Sequence, residues 1–305
     1  MTRTVSLEEL LEKTSRTFAL SIPVLPEPTR REVMIAYLLF RIADTFEDAA
    51  HWPPESRSAA LHDFNALLSG YSRNAAEVLS AAWIAAEVSP HEGYRELIEE
   101  VPFVLDNFFA LSPGAIDPVR RHVIRSAEGM ASIVARTRGG RLTLHSISEL
   151  KDYCYIVAGI VGEMLSELFL LDRPALSGIA AHLRERAATF GEALQLVNIL
   201  KDSAVDAEEG RRYLPEEAPV SEVFALARKD LGVAGDYILA LQKAGAPRGL
   251  VEFTALPVRL AWAALERVEK SGPGSKVSRP ELFLIVQKLK WALDRGEAAV
   301  EPSRT

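Results

Sequence analysis

Twice in this chain a pair of aspartates stands four residues apart inside a helix-forming run that is otherwise apolar. The first run, VMIAYLLF (Val33 to Phe40), leads directly into RIADTFED (Arg41 to Asp48). Helical positions three, four, seven and eleven apart share a face. Counted from Tyr37, that rule selects Arg41, Asp44 and Asp48. The second run, FGEALQLVNILKDSAVDAEEGRRYLP, places Gln195, Asn198, Asp202 and Asp206 on one face in the same way, with Arg211 and Arg212 close behind. One such stripe reads equally well as a solvated surface. Two of them, each ringed by Leu, Val and Ile, are harder to place on a surface. If the helices face each other, four carboxylates line one cavity, where without a counter-charge they repel and are costly to desolvate.

A divalent cation removes that conflict. Carboxylate and amide oxygens without histidine or cysteine suit Mg²⁺, with Mn²⁺ as the alternative, better than zinc. The candidate ligands are Asp44, Asp48, Asn198, Asp202 and Asp206. Mg²⁺ commonly takes one or two carboxylates and completes its shell with substrate phosphates, which points to a phosphorylated or diphosphorylated substrate. Arg41 and Arg211 are positioned to add guanidinium contacts to phosphate oxygens. A di-iron bundle would need Glu-x-x-His pairs, and none is found. No phosphate-binding glycine loop, dinucleotide fingerprint or nucleophilic triad is present either.

Helical periodicity runs through the chain, and strand alternation is hard to find. Helices are expected from Pro28 to about Phe46, through LHDFNALL, and around 74–88, 92–110, 118–135, 148–171, 178–203, 221–245, 247–270 and 279–295. Loops are expected at SPGAIDP, TRGGRL, LDRPALSG and KSGPGSK. Without a fixed repeat or a long linker, the reading is one all-α domain over 1–295 and a polar C-terminal tail over 296–305. The net charge of −7 argues against a nucleic-acid partner. The single cysteine, Cys154, fits a small buried residue and a reducing compartment. YIVAGIVGEMLSELFLL is interrupted by Glu163 and Glu167 and reads as a buried helix, so neither a transmembrane anchor nor a signal peptide is expected. The location expected is cytoplasmic.

Three blocks resemble the squalene/phytoene synthase family of head-to-head prenyl transferases: TSRTFALSIPVLPEPTRREVMIAYLLFRIADTFED, DYCYIVAGIVGEML and GEALQLVNILKDSAVDAEEGRRYLP. The resemblance implies an isoprenoid synthase fold, a single helical bundle around a central active-site cavity. It assigns both aspartate pairs to metal binding and catalysis, and Tyr153 to proton transfer. Tyr37, Arg41, Gln195, Asn198, Arg211 and Tyr213 match positions around the substrate diphosphates. Thr14, Ser15, Thr17 and Phe18 match a segment that closes over one diphosphate. Gly159 and Gly162 fit a close approach of helices or of a substrate chain.

The implied reaction is a Mg²⁺-dependent 1-1′ condensation of two prenyl diphosphates. The DTFED sequence resembles squalene synthases, whereas ILKD and GRRYLP lean towards carotenoid-type enzymes. The first expectation is therefore farnesyl diphosphate converted to presqualene diphosphate and squalene, with NADPH as reductant. The alternative is phytoene from geranylgeranyl diphosphate, or dehydrosqualene, neither needing NADPH. Lys276 and Arg279 in GSKVSRPE are candidate contacts to a cofactor phosphate, set against a merely solvated basic loop. A non-catalytic assembly protein would be expected to lose the aspartates, and all four are intact. Peripheral membrane association and a monomer or weak homodimer complete the expectations.

Overall fold

The computed structural model describes residues 5–15, 17–137 and 142–301. Four residues of the expected loop TRGGRL (138–141) and the last four of the chain lie outside them. The chain forms two compact units, Met1–Pro23 with Glu27–Gly140, and Val24–Pro26 with Arg141–Thr305.

In the first unit, α1 (Leu7–Thr14) opens on a capping box between Ser6 and Glu9, and a short α2 (Phe18–Ser21) follows. The central element is α3 (Thr29–Glu47), against which α1 and four later helices pack: α4 (Pro54–Ser69), α6 (Glu92–Glu99), α7 (Val101–Phe109) and α8 (Pro113–Ala135). The near-continuous apolar run of α3 explains that position. A helix apolar on almost every side must be surrounded, and Ile35, Leu38, Leu39, Ile42 and Phe46 are fully buried. Between α4 and α6, α5 (Arg73–Ala85) packs on α7.

The second unit is built in the same manner around α11 (Ala180–Glu208), which contacts α9 (Ile147–Cys154), α10 (Ile160–Asp172), α12 (Val220–Lys243) and α13 (Arg248–Ser271). The last helix, α14 (Arg279–Asp294), lies on α13 and opens with a second capping box, Ser278 with Glu281. Among the described residues one parallel pair joins β1 (Leu142–Thr143) to β2 (Arg211–Arg212).

Several expectations need correcting. The expected helix 92–110 is two helices, because Pro102 has no N–H to continue the ladder from α6. SPGAIDP is not a loop but the start of α8: Ser112 caps it, and Pro113 occupies a first-turn position that needs no donor. The expected helix 148–171 is split by a π-helical turn, Tyr155–Gly159. Of the stretch expected as a polar tail, residues 297–301 form a packed strap. There Arg259 Nε donates to Ala299 O at 2.6 Å, Ala299 N–H donates to Gln242 Oε1 at 2.9 Å, and Val300 is buried. Among the described residues, one helical run, Ile147–Asp172, is long and apolar enough to cross a membrane; half of its most apolar window is buried within the structure.

Candidate active site

Tyr37, Arg41 and Asp44 follow one another up one side of α3, and the predicted N-terminal residues join them. The Tyr37 hydroxyl donates to Thr14 O at 2.9 Å, and Phe18 packs on the Tyr37 ring with centroids 5.4 Å apart. Ser15 Oγ accepts the Phe18 N–H at 2.9 Å, which fixes the chain between α1 and α2. Thr17 is the N-cap residue of α2, without a side-chain cap bond. Arg41 pairs with Asp44 at 3.2 Å and lies over the rings of Tyr37 and Tyr94, 5.7 and 5.4 Å from their centroids.

Burial opposes the charge on Arg41, yet Asp44, Tyr37 and Tyr94 together raise its pKa. Burial pushes Asp44 up to about 6, with Asp48 adding to the rise and Arg41 opposing it. About a quarter of each side chain stays accessible (24% and 27%), so the pair is hemmed in by protein without being sealed from solvent. Asp48, the C-cap residue of α3, is exposed.

On α11 of the second unit, Gln195, Asn198, Asp202 and Asp206 ascend one face, as their spacing predicts. The Lys201 ammonium donates to Asn198 Oδ1 at 3.0 Å and lies 3.2 Å from Asp202 Oδ2. Arg211, held on β2 by the pairing with β1, stands 3.5 Å from Asp206 and also binds Glu209. Tyr153 is buried and stacks on Tyr213, their centroids 4.6 Å apart. Tyr155, two residues on, instead donates to Glu163 Oε1 at 3.3 Å.

Both acid pairs occupy the C-terminal end of a helix. There the backbone carbonyls already carry partial negative charge, and a carboxylate is disfavoured by about 0.3–1 kcal/mol unless a cation is near. Neither α3 nor α11 has a basic residue in its last turn. The two ends are thus cation-seeking, and on α11 an ammonium is already held by two of the predicted metal ligands. Among the described residues no group of three or more His, Cys, Asp or Glu gathers into a complete cage. An oxygen-only pair on each helix fits Mg²⁺ or Mn²⁺, ions that keep waters and take substrate oxygens to fill their shell.

A family model for squalene/phytoene synthases matches residues 11–222, a span that contains both aspartate pairs and Tyr153. The chain belongs to the squalene/phytoene synthase family. It is 33% identical over 215 residues to the squalene synthase of Schizosaccharomyces pombe, covering 68% of this chain and 43% of that protein. It is 30% identical over 212 residues to the Botryococcus squalene synthase of Botryococcus braunii, covering 68% and 42%. The matched stretch thus spans less than half the length of these curated relatives. Among solved structures, a TcSQS complex with the ligand E5700 superposes with a TM-score of 0.75 at 23% identity, covering 95% of this chain and 87% of the other. A dehydrosqualene synthase complex gives 0.61 at 22%, covering 95% of both chains. These likenesses show the all-α isoprenoid synthase fold.

Two glycines of the family's second and third blocks make a seam. A Cβ on Gly162 would land on the carbonyl of Ala187, and one on Gly191 on the carbonyl of Ala158. At Gly162 the close approach is therefore helix against helix, whereas Gly159 faces the Tyr155 ring and the Glu192 carboxylate. Lys276 and Arg279 are both exposed. The turn before them is clipped to α11, because Gly274, with φ of 82°, donates its N–H to Lys201 O at 2.7 Å. That φ is open to glycine at little cost.

Tyr94 escaped the sequence reading because nothing local ties α6 to Arg41. Lys201 was within reach, standing three residues from Asn198 and next to Asp202. An acidic pair, half-buried Glu192 and buried Asp230, was missed as well. Burial raises both carboxyls: Asp230 and Glu163 push Glu192 further while Lys151 opposes, and Lys151 and Lys229 oppose the rise of Asp230. The neighbouring Cys154 thiol is raised by burial and by the same two acids. A carboxyl whose folded pKa lies above its unfolded value makes the fold lose stability as pH rises through the interval between the two. Glu192→Gln should therefore be no more stable than the parent at acid pH and gain on it steadily as pH rises past the ordinary carboxylate range. Urea midpoints across pH test this, and a difference that stays flat refutes it.

Proposed function

We propose that this chain catalyses the Mg²⁺-dependent head-to-head condensation of two farnesyl diphosphates to presqualene diphosphate and then squalene, with NADPH supplying the hydride. The observation that carries the reading is the repetition of a carboxylate pair at a cation-seeking helix end, with Arg41 beside one pair and Arg211 beside the other. Membership of the family supports it, as do relatives named squalene synthase.

Bound Mg²⁺ would neutralise diphosphate charge as it departs, held by Asp44 and Asp48 and by Asn198, Asp202 and Asp206. Arg41 in the first unit and Arg211 in the second are each proposed to orient diphosphate oxygens, and Gln195 and Tyr213 are proposed substrate contacts of the second unit. The rings of Phe18 and Tyr37 present apolar, electron-rich faces on which a cationic substrate carbon can rest. Tyr153, stacked on Tyr213, is the candidate to move the proton lost when the two chains join. Thr14, Ser15 and Thr17 belong to the segment that closes over one diphosphate. Lys276 and Arg279 are the proposed contacts to the NADPH phosphate. The location proposed is cytoplasmic.

The residues between the first two aspartates, which lean towards squalene in sequence, bear on the core. Phe46 packs on Trp83 with centroids 4.6 Å apart, Thr45 donates to Arg41 O at 2.7 Å, and the Glu47 carbonyl accepts from Arg57. The choice of product therefore leans on the named relatives. Incubating purified protein with farnesyl or geranylgeranyl diphosphate, with and without Mg²⁺ and NADPH, and identifying the hydrocarbon by mass spectrometry decides it. Squalene formed only when Mg²⁺ and NADPH are both present is the expected result. Phytoene, or dehydrosqualene without NADPH, would replace the proposed product, and no product from either substrate would leave a non-catalytic family member.

A further inference from the structure

Arg41 is restrained on several sides by its own unit. Its guanidinium carbon lies 5.7 Å from the Tyr37 ring centroid and 5.4 Å from that of Tyr94. Nε donates to the Tyr37 hydroxyl at 3.4 Å, and Nη1 stands 3.2 Å from Asp44 Oδ2. Among the described residues Nη2 has no such partner, so one corner of the fork is left for an outside acceptor. Tyr37 is a neighbour on α3, one helical turn back. Tyr94 comes from α6 and meets Arg41 only because α6 packs against α1 and α3. Three features hold α6 there. Leu97 and Ile98 are fully buried, and the Lys13 ammonium pairs with Glu96 at 2.5 Å. Gly93 has no side chain where a Cβ would stand 2.6 Å from the Lys13 carbonyl oxygen. Lys13 in turn precedes Thr14, whose carbonyl accepts from the Tyr37 hydroxyl, so α6 braces the surroundings of both tyrosines. The Tyr94 ring is itself backed by His91, with centroids 4.2 Å apart.

We infer that Tyr94 is a positioning residue for diphosphate binding: its ring holds the Arg41 guanidinium in the orientation that presents Nη2 to a phosphate oxygen. The inference rests on the proposed role of Arg41 as a diphosphate contact and adds the group that aims it. An arginine side chain gives up much rotamer freedom when it binds, and a ring that restrains it beforehand reduces that loss. A cation–π contact suits the task, because it restrains the guanidinium without consuming an N–H donor. A second carboxylate in the same place would engage the donors that a phosphate needs, and would repel the phosphate as well.

Titration calorimetry of the full chain with inorganic pyrophosphate and Mg²⁺ reads the affinity without any turnover. Arg41→Met should weaken binding. Tyr94→Leu should weaken it roughly tenfold, the effect of losing a partly desolvated cation–π contact. Tyr94→Gln, a second variant that keeps a good helix former, should behave alike. Tyr94→Phe keeps the ring and should bind as the parent does. In an Arg41→Met background Tyr94→Leu should cost nothing further, because the tyrosine acts only through the arginine. A merely structural tyrosine would lower the thermal midpoint and leave pyrophosphate affinity unchanged, and that result overturns the inference. So does an additive double variant, or tighter binding by Tyr94→Leu, which would make the ring a competitor of phosphate for Arg41. Two other outcomes fall on the underlying reading: no pyrophosphate binding by the parent, or parent-like binding by Arg41→Met, removes Arg41 as a diphosphate contact and the inference with it.

Discussion

Asp202→Asn and Asp44→Asn should each lower Mg²⁺-dependent turnover by about 10²–10³-fold or more, the scale seen when one preorganised charge-stabilising group is removed, with no matching loss of fold. The separation of the two effects is the point of the test. Asp202 is 42% exposed and its ion partner is Lys201, so losing its charge should cost about 1 kcal/mol or less. Asp44 is disfavoured as an anion, its pKa pushed up to about 6, so asparagine should leave stability unchanged or raise it. Stability little changed at Asp202 and unchanged or raised at Asp44, with turnover largely lost at both, is what metal ligands predict and structural acids do not. Thermal midpoints with and without Mg²⁺ supply a readout independent of catalysis: the parent should gain stability on adding the ion, and each variant should gain less. Full turnover in either variant, or activity lost only in step with unfolding, would defeat the assignment.

The second large effect concerns the glycine seam of the second unit. Alanine normally gains up to about 1 kcal/mol over glycine inside a helix. At Gly162 and Gly191 that gain is opposed by a methyl group driven into a backbone carbonyl across the helix crossing. Backbone cannot swing aside as a flexible side chain can, so the overpacking should sit near the top of its usual range of about 1–3 kcal/mol. The net expectation for Gly162→Ala or Gly191→Ala is a loss of about 2 kcal/mol, read as a lowered urea midpoint. The two substitutions wedge one crossing, so the double variant should lose less than the sum. Gly178→Ala is the control: nothing lies within 4 Å of its Cβ, and it should be near neutral. A Gly162→Ala protein as stable as the control would show that the two helices can separate cheaply.

What could be read from sequence followed from local geometry. The aspartate stripes of α3 and α11 are set by residue spacing alone, and the apolar runs around them predicted helices central to their surroundings. Pro102 marked the break between α6 and α7 and was passed over. SPGAIDP misled because glycine and proline signal loops by composition, while position decides what they do: a proline in a first turn costs no hydrogen bond. Tyr94 over Arg41 and Asp230 beside Glu192 arise only when separate helices pack, and no spacing along the chain announces such meetings. The three residues between Asp44 and Asp48 show the reverse hazard. They resemble a family signature, yet their burial ties them to the packing behind the acid-bearing face.

The π turn at Tyr155–Gly159 has a consequence for how this unit can change. Each residue of an α-helix advances the azimuth by about 100°, so a wider turn acts as a phase shifter between the rod before it and the rod after it. Upstream, Tyr153 is aimed at Tyr213; downstream, Gly162 is keyed to Ala187. In an unbroken α-helix the aim of one would dictate the aim of the other. With the phase shifter between them, the tyrosine and Gly162 need not share one azimuth. Ala158 keeps the turn itself keyed to Gly191, so only the turn's side chains away from that contact are free to vary.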